Sequence, residues 1–128
     1  MGMDQSVTFT NCPIPAWETV SALLSTKAYP VQMRMIDGQL AFPDEMPASD
    51  WNEIRVGTPH GMITIRKEPN RLVFVTWGNA DVEMQKAWNA LTWAFAEAGS
   101  GSIQSGGKSL SAGQFVEKFL LPESFKMN

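Results

Sequence analysis

A single cysteine, Cys12, and a single histidine, His60, stand in 128 residues. One cysteine excludes an internal disulfide and fits a reducing, cytoplasmic setting. Beside the lone histidine no Cys, His or acidic residues have ligand-set spacing, so neither a metal nor a cofactor is expected. No apolar run approaches the ~20 residues a membrane helix needs. The N-terminus lacks the basic start and apolar core of a signal peptide. Basic residues are few as well: 10 Lys and Arg against 13 Asp and Glu give a net charge of −3. That excludes a general nucleic-acid binder, which needs clustered cations for phosphate contacts. No internal repeat is present.

Large apolar side chains are what the chain has in quantity. Five tryptophans, seven phenylalanines and eight methionines fill cores, and the same types favour partner-binding surfaces. With 44% hydrophobic residues, the length implies one soluble domain over residues 1–128 around a single core. Residues 81–98 are the organising element. At 100° per residue, Met84, Ala87, Trp88, Leu91, Ala94, Phe95 and Ala98 fall inside an arc of about 120°. This predicts a long helix with a heavy core face, capped by Asn79 or Asp81 and stopped by a left-handed Gly99. Trp93 lies opposite that face, beside Lys86, Asn89 and Glu97.

The remaining elements follow from pattern and punctuation. Residues 7–10 read as a short strand ended by Pro13. Pro15 then opens a helix, in its first turn, whose Trp17, Val20, Leu23 and Leu24 share a face. A hairpin over 31–42 turns at Asp37-Gly38 and pairs Met35 with Leu40 and Met33 with Phe42. A loop with two prolines comes next, where Asp50 and Glu53 are expected to cap a helical turn holding Trp51. Strands are expected at 53–56, 62–67 and 72–77. Proline cannot adopt the positive φ of a type I′ turn. Residues 69–71 are therefore expected as a three-residue loop, with Ile65 opposite Val75 and Ile63 opposite Trp77. The last strand is apolar on both sides, so one face takes the long helix. The other needs a terminal helix or a second subunit.

Residues 99–113 contain five glycines and five serines, the composition of a flexible connection, with the Gly/Ser-rich loop at about 99–110. Ser111 and Gln114 form a capping-box pair ahead of Phe115, Val116, Phe119 and Leu120. The expected fold class is α+β. An antiparallel sheet of about five to six strands packs against one long helix, with an N-terminal helix and a short C-terminal helix.

Chemistry is harder to find. Gly107-Lys108-Ser109 imitates the end of a phosphate loop, but Ser102 stands where that loop needs glycine, and a helix precedes it instead of a strand. Cys12 has no local activating base and reads as a small buried apolar residue. His60 reads first as an exposed turn residue, and second as a general base or acid. Arg34, Arg55 and Arg66 alternate outward from three strands and would form a positive patch if those strands are neighbours. Trp93 and Trp51 are the candidate partner contacts, since tryptophan is enriched at binding hot spots.

The functional expectation is a non-enzymatic cytoplasmic interaction protein that binds a second copy, as a homodimer, or a protein partner through an aromatic and methionine surface. The competing expectation is a small enzyme or ligand-binding domain. Its pocket would lie between sheet and long helix, with His60, Arg34, Arg55 and Arg66 contacting an anionic ligand.

Overall fold

The computed structural model describes residues 3–10, 13–76, 81–105, 107–119 and 121–125. Cys12, Trp77, Asn79 and Leu120, to which the sequence assigned roles, lie outside the described residues. The chain is α+β with an antiparallel sheet, and the sheet has eight strands rather than five or six. In chain order these are β1 (Met3–Thr8), β2 (Gln32–Ile36), β3 (Gln39–Leu40), β4 (Glu53–Thr58), β5 (Gly61–Glu68), β6 (Arg71–Thr76), β7 (Ser102–Ser105) and β8 (Lys108–Leu110). The helices are α1 (Trp17–Thr26), α2 (Val82–Gly99) and α3 (Ala112–Lys118), and a 3-10 turn follows at Glu123–Phe125. Strand order across the sheet is β3-β2-β4-β5-β6-β1-β7-β8.

Alternation along each strand sorts the sheet into two faces. Ile54, Ile65 and Phe74 stand side by side in one row of the core face. Leu72, Val7, Ile103 and Leu110 make another. Every one of these side chains is fully or nearly fully buried. Helix α2 lies across β5, β6, β1 and β7 on that face, with α1 against one flank and α3 against the other. Leu91 and Phe95 are completely buried beneath it, each contributing about 1.5–3 kcal/mol of transfer free energy. The opposite face carries no described helix. On that far side of β6, where a terminal helix or second subunit was expected, Val73 is half-buried and Val75 is buried without a described helix over them.

The added strands come from the two ends of the chain. Strand β1 begins at Met3, ahead of the expected 7–10, and inserts between β6 and β7. The glycine–serine segment is not a flexible connection but the β7–β8 hairpin, whose Ile103 and Leu110 face each other in the core. Gly99 is the last residue of α2, and the left-handed stop is Ser100, at φ 55°. Glycine at 99 answers a contact instead, because a Cβ there would meet the Phe9 ring at 2.6 Å. Such a clash forbids any side chain without moving the ring.

Local rules held where turn and pattern agreed, and failed where a second turn type competed. Asp37 and Gly38 both have positive φ, 50° and 83°, as a type I′ turn requires, and Met35 pairs with Leu40. Beyond it β2 bulges: Arg34 and Met35 together oppose Arg55 on β4, so Phe42 does not continue the ladder opposite Met33. Between β5 and β6 the loop has two residues, Pro69 and Asn70, and Ile65 faces Phe74 in place of Val75. The proline argument excluded only the type I′ turn. A type II turn takes proline first and a positive-φ residue second, and Asn70 sits at φ 62°. Helix α1 starts at Trp17 after Ala16, so Pro15 precedes the first turn. Trp51 follows a turn closed by its own N–H on the Ala48 carbonyl, and no helical turn forms there.

Candidate functional site

Strands β2, β4 and β5 are adjacent and put Arg34, Arg55 and Arg66 on the sheet face away from α2. Arg34 lies near the β4–β5 turn and Arg66 stands opposite Glu53 at the other end of β4, so the three run along the strand rather than meeting at one end. Their electrostatics differ. Glu53 stands 4.0 Å from Arg55 Nε and 3.2 Å from Arg66 Nε, so one carboxylate serves both. Arg34 sits in the β2 bulge and lies over Gly57, whose missing side chain leaves room for the arginine stem. Among the described residues no carboxylate is within ion-pair distance of Arg34. A groove of about 240 Å³ opens beside it, lined by Pro30, Gln32, Gly57, Thr58 and Pro59.

His60 lies at the Arg34 end, in the turn between β4 and β5, and it is not an isolated exposed residue. The Tyr29 hydroxyl and His60 Nδ1 are 2.9 Å apart, and His60 Nε2 is 3.1 Å from Glu83 Oε2. The rings of Tyr29 and His60 stack at 5.6 Å, and Phe125 meets Tyr29 edge-on at 5.4 Å. Burial pushes the Tyr29 hydroxyl up to about 12, with a Thr58 hydrogen bond opposing and the Glu83 charge adding to the rise. The phenol therefore keeps its proton at neutral pH. This line of contacts joins the end of α1, the β4–β5 turn, the start of α2 and the C-terminal turn. Tyr29 is only 3% exposed, which leaves its hydroxyl inside the fold.

Trp93 and Trp51 are both buried. Phe125 packs edge-on against Trp93 at 5.3 Å, and Lys27 Nζ stands 5.6 Å from the ring centre. The cover comes from the chain's own 3-10 turn and the end of α1. Helix α2 is in fact buried all round between Ala87 and Ala96. Its expected polar side faces protein, with Asn89 and Thr92 accepting hydrogen bonds from Gln5 Nε2 in β1. Trp51 lies under Lys67, whose ammonium is 4.3 Å from the ring centre and donates to the Ser49 carbonyl. Burial beside this aromatic floor lowers the Lys67 pKa.

The exposed apolar residues lie elsewhere. Leu40 is 89% exposed, Phe42 75% and Met46 53%, on or after the edge strand β3, while Val82 and Met62 are exposed singly at the start of α2 and in β5. The space between the sheet and α2 is filled by Ile63, Ile65, Phe74, Leu91 and Phe95 rather than opened into a pocket. One signal in the sequence pointed to this edge: the outgoing arm of the hairpin is cut short by Pro43 and Pro47. Short strands that end in prolines are typical of sheet edges.

The chain matches no family model, and neither a curated protein nor a solved structure is significantly similar to it. Geometry alone carries the functional reading.

Proposed function

We propose that this chain is a non-enzymatic interaction protein that pairs with a second copy of itself through the β3 edge. The observation that carries the reading is the exposure of Leu40, Phe42 and Met46 on a sheet edge. Edge strands are normally guarded by lysines, prolines or bulges on the strand itself. Gln39–Leu40 carries none of these itself, and its shortness and the following Pro43 confine any pairing to the few residues around Leu40.

Self-pairing is favoured by the register. The Ala41 N–H donates to the Arg34 carbonyl, so by antiparallel alternation the Leu40 N–H and carbonyl point out of the sheet. An antiparallel partner centred on Leu40 then forms two reciprocal hydrogen bonds across a twofold axis. That register sets Phe42 of one copy beside Gly38 of the other, where an added Cβ has nothing within 4 Å. No charge opposes a like charge along the strand.

Sizing by light scattering tests this directly. The wild type should run as a dimer. Leu40→Glu should run as a folded monomer that melts like the wild type diluted below its dissociation constant, because that side chain is exposed in the single chain. A wild type that stays monomeric at high concentration sinks the proposal.

A further inference from the structure

We infer that the groove beside Arg34 is a binding site for a small oxyanion, a phosphomonoester or a carboxylate, independent of the β3 edge. Three features carry it. The first is charge. Arg34 has no carboxylate within ion-pair distance among the described residues, whereas Arg55 and Arg66 share Glu53 and Arg71 pairs with Glu68. An arginine held without a counter-ion on a chain of net charge −3 offers a planar fork matched to two oxygens of one anion.

The second is shape. The guanidinium stem is laid flat by Gly57: a Cβ at that position would stand 3.2 Å from Arg34 Nε and 3.3 Å from its Cγ. The groove it borders, about 240 Å³, is lined by Pro30 and Pro59 as stiff walls and by the Gln32 side chain. A drug-sized ligand needs roughly 300–1,000 Å³, so this space suits a phosphate or a short dicarboxylate.

The third is rigidity. Thr58, on the groove wall, is fixed from several directions. Its Oγ1 donates to the Gly61 carbonyl at 2.8 Å and accepts from the His60 and Gly61 N–H groups at 3.1 Å. Arg34 itself is anchored in a bulge, a feature that re-aims a side chain relative to a regular strand. A site whose walls are already in place loses little entropy when a ligand enters.

The test is an amide-resolved NMR titration at low ionic strength, with inorganic phosphate in one arm and succinate in the other. Saturable shifts centred on Gln32, Arg34, Gly57 and Thr58 are expected with at least one of them, and whichever binds assigns the ligand class. Arg34→Gln should weaken that binding about tenfold or more, the loss expected for a charge-assisted contact. Arg34→Lys should weaken it less, because the charge remains while the fork is lost. Gly57→Ala should also weaken it, although it removes no polar group, by lifting the arginine stem. Melting curves of the two Arg34 variants should match the wild type, since Arg34 is exposed, and Gly57→Ala should stay folded at the temperature of the titration. If neither anion gives saturable shifts at these amides, the inference fails. It fails equally if Arg34→Gln and Gly57→Ala both bind like the wild type.

Discussion

The Tyr29 hydroxyl donates to His60 Nδ1 across 2.9 Å, and the direction of that bond follows from the other side of the ring. His60 Nε2 faces the Glu83 carboxylate at 3.1 Å and must carry the hydrogen, which leaves Nδ1 of a neutral imidazole as the acceptor. The phenol, pushed up to about 12, supplies the proton.

A pH prediction follows with a definite sign. The folded-state pKa of Tyr29 lies above the ordinary tyrosine value of 10.0, so the folded chain holds this proton more tightly than the unfolded one. The associated stability is complete below about pH 10 and is lost as pH rises through about 12. Tyr29 is the only tyrosine, so phenolate absorbance reports it alone. Its native titration should be centred near 12, and Tyr29→Phe should flatten the alkaline fall in stability. A native midpoint near 10 would mean that the hydroxyl reaches water.

Core substitutions should be costly at the helix–sheet contact. Leu91→Ala or Phe95→Ala leaves a cavity beneath α2 at sites with no exposure. The expected loss is about 2–5 kcal/mol in urea unfolding. Losses below about 1 kcal/mol for both would show that the site collapses freely.

These positions were legible because helix period, residue size and burial agree. The parts that were not legible depend on contacts between distant segments. The β7–β8 hairpin offers only Ile103 and Leu110 as inward residues, too few for alternation to show among serines and glycines. Its place in the sheet comes from β1, nearly a hundred residues earlier. Trp93 and Asn89 looked like an outward side because nothing local reveals Phe125 or Gln5. Arg34, Arg55 and Arg66 were named correctly as outward residues, but which of them shares a carboxylate is a matter of strand order.

The turn between β5 and β6 gives a prediction of backbone strain. Asn70 holds φ 62°, a conformation asparagine tolerates and alanine resists. Asn70→Ala should cost about 1–2 kcal/mol. Asn70→Gly should be close to neutral, with glycine's freedom in the unfolded chain offset by its ease in the left-handed region. Equal stability of the two variants would indicate that the turn relaxes to another type.

Trp93 separates an aromatic that folds the chain from one that recruits another. Its ring is 6% exposed, with Phe125 edge-on at 5.3 Å and Lys27 at 5.6 Å. Both contacts come from the same chain. Trp93→Glu should therefore destabilise the fold by several kcal/mol, because a carboxylate would be buried where, among the described residues, Lys27 alone is placed to offer partial compensation. Phe125→Ala should reproduce part of that loss by uncovering the ring. A double-mutant cycle between the two positions should give a coupling of about 0.5–1.5 kcal/mol, the usual worth of an aromatic pair beyond its buried area. The readout that decides is size measured beside melting. If Trp93→Glu keeps its melting temperature while a wild-type dimer becomes a monomer, the tryptophan belongs to an interface and the contact with Phe125 is incidental. If it melts early at unchanged size, the ring is part of the core that fastens the C-terminal turn over α2.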